Sequence, residues 1–169
     1  MSCVYIIDTT VFLNLLKVEG RNQDQAQVVS DFQTYSESGA DFILPMATII
    51  ETGNHIAQNG DGGTRRKTAL RFCKAVRQAF SGASPYNKPS VFPDQAEILG
   101  WIDSFPEVAG QNKTPQKTNE GMSFGDLSII KDYEATCRRF AMTEVRIWSL
   151  DSDLMQYHHQ PSTAQKNRL

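Results

Sequence analysis

Four acidic residues lie at positions where carboxylates could bind a metal ion. Asp8 and Asp151 each follow directly after an apolar run, and Glu51 and Asp126 lie near the starts of segments with helical periodicity. Carboxylates brought together repel one another unless a cation lies between them. Mg²⁺ or Mn²⁺ would suit such a cluster, because both are hard cations that prefer oxygen ligands. A metal held there would activate water and neutralise charge on a phosphate, which is the chemistry of phosphodiester hydrolysis.

Each of these acids also has a purely structural explanation. Asp8 is placed to cap the helix that follows it, and Asp151 fits a turn. Thr48 and Glu51 match a capping box, in which the glutamate reaches back to the start of its own helix. Asp126 falls at the third position of a helix, where the helix dipole favours a carboxylate. Taken singly, capping is the commoner role, so the metal site is a hypothesis about the four acids together.

The elements that would position these acids alternate along the chain. Residues 3–7, 42–44 and 145–150 are short apolar runs, typical of strands buried on both faces. The spacing of apolar residues predicts helices over 23–38, 48–58, 64–80, 95–102 and 124–141. This alternation predicts an α/β fold with a mostly parallel sheet. Ligand sites in such sheets form beyond the carboxyl ends of the strands, which is where Asp8 and Asp151 lie.

The remaining segments are less regular. A short strand is expected at residues 90–92, and the polar segment 106–120, which contains two prolines, is expected to be a long mobile loop. The whole pattern predicts one domain over residues 1–159, followed by a flexible tail at 160–169.

Composition narrows the class of protein further. The chain has 169 residues, of which 40% are hydrophobic and 21% charged, as in ordinary globular domains. The three cysteines are odd in number and form no C-x-x-C pair, which argues against a disulfide framework or a zinc ribbon and predicts a cytoplasmic protein. No apolar stretch is long enough to span a bilayer, so a membrane partner is not expected. Trp101 and Trp148 are expected in the core.

Four blocks, in this order, resemble the PIN-domain nucleases. They are Tyr5-Ile-Ile-Asp8-Thr-Thr10, Ala47-Thr-Ile-Ile-Glu51, Gly125-Asp126-Leu-Ser-Ile-Ile and Trp148-Ser-Leu-Asp151-Ser-Asp153. Together the blocks span nearly the whole chain. The resemblance implies a three-layer α/β/α fold that binds Mg²⁺ or Mn²⁺. It implies catalytic and metal-binding roles for Asp8, Glu51, Asp126 and Asp151, with Asp153 as a second acid of the last block and Thr10 as support for the first.

The resemblance also implies an activity and partners. It implies an endoribonuclease that cleaves single-stranded or loop RNA by two-metal-type hydrolysis, leaving a 5′-phosphate and a 3′-hydroxyl. Stand-alone members of the family are commonly toxins neutralised by a small antitoxin, so an antitoxin and a second copy of the chain are the possible protein partners. The chain departs from such toxins by its extra length in 59–93 and before Gly121, and by Ser149 and Leu154 in the last block.

Two alternatives remain open at this point. One is a non-catalytic PIN-like module that binds RNA or protein, and acids splayed apart and paired with arginines would favour it. The other is a structure-selective DNA nuclease, which only a panel of substrates would distinguish from a ribonuclease.

A basic segment precedes the middle of the chain. It contains six of the seventeen lysines and arginines, namely Arg65, Arg66, Lys67, Arg71, Lys74 and Arg77. Lys67, Arg71 and Lys74 follow helical spacing and share one face. A solvated helix face would explain the pattern. The alternative is a nucleic-acid-binding surface, formed by residues 65–67, 71 and 74, that tracks a phosphate backbone beside the acidic site.

Overall fold

A four-stranded sheet forms the centre of the molecule in the computed structural model, which describes residues 3–161. Its strands are β1 (Cys3–Ile7), β2 (Asp41–Ile43), β3 (Glu144–Trp148) and β4 (His158–His159), arranged in the order β2-β1-β3-β4. The central strand β1 pairs in parallel with both β2 and β3, and β4 pairs antiparallel with β3. The predicted α/β fold with a mostly parallel sheet is therefore confirmed.

Helices follow the strands as predicted, with some changes of boundary. The helices of the described residues are α1 (Thr9–Leu15), α2 (Gln25–Glu37), α3 (Met46–Ala57), α4 (Gly62–Ser81), α5 (Gln95–Gly110), α6 (Phe124–Arg139) and α7 (Ser152–Met155). None of these helices is both long enough and apolar enough to cross a lipid bilayer.

The two faces of the sheet bury different side chains, because successive residues of a strand point to opposite faces. Tyr5 and Ile7 of β1 pack on one face against apolar residues of α1, α2, α3 and α4. Val4 and Ile6 pack on the other face with apolar residues of α6 and α7. The result is three layers with the sheet in the middle. Trp148 is buried in the first face, as expected.

Two local predictions were wrong, and one strand was missed. Residues 90–92 form no strand; instead Ser90 bridges the end of α4 and the chain after β2 through its backbone and hydroxyl groups. Helix α5 continues to Gly110 with Pro106 inside it, so only the part from residue 111 onward is a loop. Strand β4 was not predicted, since two residues carry no usable periodicity. Residues 162–169 of the predicted tail lie outside the described residues.

Candidate active site

Asp8 lies at the end of β1, where it caps α1 and is only 4% exposed. Its Oδ2 accepts hydrogen bonds from the Thr10 hydroxyl (2.7 Å), the Thr10 backbone N–H (3.3 Å) and the Ser149 hydroxyl (2.8 Å). The other oxygen, Oδ1, receives no hydrogen bond from the described residues. Asp8 is thus fixed through one oxygen and has the second oxygen left for a ligand. The support role predicted for Thr10 has a physical basis in these bonds.

Pairing between β1 and β3 brings the last block of the sequence beside Asp8. Ile7 lies opposite Trp148 in the parallel register, so the residues that follow the two strands meet at one edge of the sheet. The Leu150 N–H donates to the Thr10 hydroxyl (3.0 Å), and the Asp151 N–H donates to the Ser149 hydroxyl (2.9 Å). The two hydroxyls therefore couple the loops that carry Asp8 and Asp151. Serine performs this role where the family resemblance predicts threonine.

Glu51 does not form the predicted capping box. Helix α3 begins at Met46 with Pro45 as its N-cap, which puts Thr48 inside the helix, where its hydroxyl donates to the Ile7 carbonyl (2.8 Å). The Glu51 Oε2 instead accepts a hydrogen bond from the Thr9 hydroxyl (2.7 Å). The capping-box explanation of Glu51 is thereby removed. Its carboxylate points towards the edge of the sheet where Asp8 lies.

Helix α6 approaches Glu51 at a glycine. A Cβ atom placed on Gly125 would lie 2.4 Å from the Glu51 Oε1, a separation that real atoms do not show. The next residue, Asp126, lies in the first turn of α6, where its backbone N–H donates to the Ser123 hydroxyl (3.0 Å). Glycine at 125 therefore lets the Glu51 carboxylate lie against the turn that carries Asp126.

Two lysines, which the sequence did not single out, lie among the remaining acids. Lys113 Nζ is 2.8 Å from an oxygen of Asp126, 3.6 Å from one of Asp153 and 3.9 Å from one of Asp151. Lys117 Nζ is 2.6 Å from an oxygen of Asp153 and 3.3 Å from one of Asp151. Three of the five predicted acids thus surround ammonium groups.

These ion pairs change the pKa values of their members. Burial lowers the pKa of Lys113, but the hydrogen bond and the negative charge of Asp126 outweigh burial, so the pKa is raised overall. The hydrogen bond from Lys117 lowers the pKa of Asp153. The same hydrogen bond raises the pKa of Lys117. Both lysines are therefore charged and Asp153 is ionised at neutral pH.

All five acids lie at the carboxyl edge of the sheet, which we call the acidic edge, and their side chains form the carboxylate cluster. They do not form a complete ligand set by themselves. Among residues 3–161, no three His, Cys, Asp or Glu side chains converge tightly enough to hold a metal ion. The cationic centre of the cluster is the Lys113 ammonium. Among the described residues, the ion pairs of Asp126, Asp151 and Asp153 are made by these two lysines, whereas arginine pairs were expected for a binding module.

The basic segment lies on α4, beside the layer formed by α1 and α3. Arg71 donates to the Leu16 carbonyl (3.0 Å), just after the end of α1 that is opposite Asp8. Helix α1 spans about 10 Å, so this arginine lies roughly one helix length from the acidic edge. Arg65 donates to the carbonyls of Asn59 and Gly60. Arg66, Lys67 and Lys74 are exposed and remain predicted nucleic-acid-binding residues.

Two of the cavities that adjoin the acids at this edge are lined by Glu51 and by Asp151, respectively. One, of about 320 Å³, is mostly apolar and is lined by Glu51 and Gly125 together with Met46, Trp101 and Phe124. Trp101 is half-buried in this wall, so its predicted place in the core was wrong. The other, of about 550 Å³, is lined by Thr10, Lys117 and Asp151 with Arg21, a second cation that the sequence did not single out.

Comparisons of the chain with protein-family models, with curated proteins and with solved structures gave no match.

Proposed function

We propose that this protein is a PIN-type endoribonuclease that uses Mg²⁺ or Mn²⁺ to hydrolyse single-stranded or loop RNA. The observation that carries the proposal is the gathering of Asp8, Glu51, Asp126 and Asp151 from four separate segments at one edge of the sheet. Asp8 is held rigidly with one oxygen to spare, and Glu51 has no capping role.

The chemistry of these side chains fits a hard divalent cation. The donors are carboxylate oxygens, the ligands that Mg²⁺ and Mn²⁺ prefer. The cluster already attracts positive charge, since two ammonium groups lie within 4 Å of its members. A bound divalent cation would supply a Lewis acid for water and for the phosphate oxygens. Asp8, Glu51, Asp126 and Asp151 would hold it, with Asp153 at the margin.

The other residues of the site keep these carboxylates in place. Thr10 and Ser149 fix the orientation of Asp8 and join it to the loop that carries Asp151. Thr9 holds one oxygen of Glu51, and Gly125 gives the other oxygen room. Pre-positioned ligands of this kind lower the cost of organising a reactive site. The RNA backbone would approach through Arg21 in the adjoining cavity and the exposed basic residues of α4.

A small antitoxin, a second copy of the chain and a cytoplasmic location remain proposals based on the family resemblance. Light scattering of the purified protein would test for the homodimer.

Cleavage of labelled substrates tests the proposed function. RNA and DNA of the same sequence, each single-stranded and hairpin, are incubated with Mg²⁺, Mn²⁺ or EDTA. We expect RNA to be cut with either metal and not with EDTA. The Asp8→Asn variant should be inactive while it keeps its fold, because it loses a charged ligand. Asp103→Asn, an exposed substitution on α5, should cut normally and serves as the control.

The same experiment distinguishes the two rival functions. The lysine pairs of Asp126, Asp151 and Asp153 give the non-catalytic module its best support, since neutralised acids can be structural. RNA binding without cleavage in either metal would establish that module in place of the nuclease. Cleavage of the DNA hairpins alone would establish the DNA nuclease.

A further inference from the structure

The two lysines belong to a polar arm that links α5 to α6. The lysine arm, as we call residues 111–120, reads Gln-Asn-Lys-Thr-Pro-Gln-Lys-Thr-Asn-Glu and contains no large apolar side chain. Lys113, Thr114 and Lys117 are half-buried, whereas the other residues of the arm are exposed. Burial of apolar surface therefore contributes little to holding the arm in place.

The arm is closed at its base. The Lys113 N–H donates to the Glu120 carbonyl (2.8 Å), and the Met122 N–H donates to the Val108 carbonyl (3.4 Å). Inside the arm, the Lys117 N–H bonds to the carbonyl and hydroxyl of Thr114 (3.1 and 3.0 Å). These hydrogen bonds lie within the arm or at its base. Movement of the arm away from the carboxylates would therefore leave the hydrogen bonds intact.

The arm is held over the acidic edge by charge. Among residues 3–161, the ammonium groups of Lys113 and Lys117 make all the polar contacts between the lysine arm and the carboxylate cluster. Lys113 is the deeper of the two, with a side chain only 13% exposed, and it bridges Asp126 to Asp151 and Asp153. An ammonium in this position screens the repulsion between the acids, which is what a divalent cation would otherwise do.

We propose that the lysine arm is an internal competitor for the metal: Lys113 and Lys117 occupy the carboxylate cluster, and a divalent cation binds only when the arm swings out. The inference rests on the proposed function, since it concerns the same site, and it adds a device that sets the metal affinity. With the arm closed over the cluster, the protein is inactive at low metal concentration. It becomes competent when Mg²⁺ or Mn²⁺ outcompetes the two ammonium groups.

The size of the effect follows from the populations of the closed and open forms. A ligand that binds only the open form has its apparent affinity reduced by the open fraction. Minor conformations are commonly populated at about 0.1–10%, so the arm should weaken metal binding by about tenfold or more. Removing the two charges should recover that factor.

Titration with Mn²⁺, followed by calorimetry or by the electron-spin-resonance signal of free Mn²⁺, tests the proposal on the full chain. The test variant is Lys113→Met with Lys117→Met, which keeps the length of each side chain but removes the charge. The control is Lys131→Met, because Lys131 makes an ion pair with Glu134 on α6 outside the cluster. We expect the double variant to bind Mn²⁺ at least about tenfold more tightly than wild type, and the control to bind as wild type does.

The Mn²⁺ titration has three outcomes that would contradict the competition. Equal affinity of wild type and double variant would overturn the competition while leaving the metal site and the proposed function intact. Weaker binding by the double variant would also overturn it. No Mn²⁺ binding by either protein would overturn both the competition and the proposed metal-dependent function. If the double variant does not fold, Lys117→Met alone provides the test, since that side chain is 37% exposed and its loss leaves Lys113 in place.

Trypsin gives a second test that needs no variant. A lysine held in an ion pair cannot enter the protease's binding pocket, so cutting after Lys113 and Lys117 requires the open arm. Mn²⁺ should therefore accelerate cleavage at these two positions relative to cleavage after Arg139, which is exposed at the end of α6. Slower or unchanged cutting of the arm in saturating Mn²⁺ would contradict the proposal.

Discussion

Gly125 leaves open the space in which the Glu51 carboxylate lies. The glycine lies in the first turn of α6, and the Glu51 carboxylate occupies the space that a side chain would need. Glycine weakens a helix relative to alanine, by about 1 kcal/mol in the interior. A residue that is locally unfavourable at a point of close approach indicates that the approach itself matters.

Replacing Gly125 by alanine should therefore separate activity from stability. The added methyl group displaces the Glu51 carboxylate and breaks its bond to Thr9, so cleavage should fall by about tenfold or more, as for a misplaced catalytic group. The free energy of unfolding should change by less than about 1 kcal/mol, because the gain in helix propensity offsets the lost hydrogen bond. The measurements are initial cleavage rates and urea denaturation.

Gly100→Ala is the matched control, since a Cβ on Gly100 of α5 meets nothing within 4 Å. It should raise the free energy of unfolding by about 0.5–1 kcal/mol and leave the cleavage rate unchanged. Full activity in Gly125→Ala would show that the position of Glu51 is irrelevant to the reaction.

For single residues, the sequence predicts neighbours well where these neighbours are set by local geometry. Asp8 and Asp151 follow adjacent parallel strands, so their proximity follows from the register of β1 and β3. Lys113 could not be found in the same way. Its partners are 13 or more residues away, and a polar segment without periodicity gives no indication of which surface it touches.

At the scale of elements, the seam between α5 and α6 contains a carboxyl group in an unusual setting. Asp132 of α6 is half-buried, and burial together with the charge of Glu97 on α5 raises its pKa to about 7. The two acids line a cavity of about 110 Å³ with Lys131, Arg138 and Arg139. No hydrogen bond from the described residues reaches the Asp132 carboxyl. The charged form of Asp132 is therefore disfavoured in the folded protein.

This carboxyl should make the protein less stable as the pH rises. Because the folded pKa exceeds the ordinary value of 3.8, the folded state holds the proton more tightly between about pH 4 and pH 7, and stability falls across that window. Asp132→Asn should remove the loss. We expect the variant to exceed wild type at pH 8 by up to about 4 kcal/mol, at about 1.4 kcal/mol per unit of pKa, and by little near pH 4.

Chemical denaturation at a series of pH values measures this difference. Asp103→Asn, which removes an exposed carboxyl from the same pair of helices, should show no such pH-dependent gain. A difference between Asp132→Asn and wild type that stays constant from pH 4 to pH 8 would refute the shifted pKa.

The boundaries of α5 show why element prediction fails where two local rules conflict. A capping box formed by Asp94 and Glu97 starts the helix. Pro106 suggests an end, because proline lacks the N–H needed for the helical hydrogen bond. The helix nevertheless continues to Gly110. None of its residues is fully buried, so water can satisfy the carbonyl that proline leaves without a partner.

At the scale of the whole molecule, charge is separated although the net charge is only −2. Carboxylates gather at the edge of the sheet, and basic side chains line the exposed surface of α4. A polyanion is repelled by the first region and attracted by the second, so a nuclease of this kind needs a cationic guide. Arg71 donates hydrogen bonds to two carbonyls at the end of α1, and it stays a predicted nucleic-acid-binding residue. Lys67 and Lys74 are exposed, so we predict that these two lysines form the cationic guide.

Replacing Lys67 and Lys74 together by alanine should weaken RNA binding for every sequence tested. Each lost phosphate contact on a single strand reduces the slope of log affinity against log salt by roughly 0.7, so the double variant should show a slope shallower by about 1.4. Binding is measured by fluorescence anisotropy between low and physiological salt.

Arg138→Ala with Arg139→Ala removes the same charge from the exposed end of α6, away from the acidic edge, and should leave the slope as in wild type. Affinity for Mn²⁺ should be the same in all three proteins, because none of the substituted residues contacts the carboxylates. If the α4 variant keeps the wild-type slope, its basic residues form only a solvated face. RNA would then have to reach the site past Arg21 and the lysine arm.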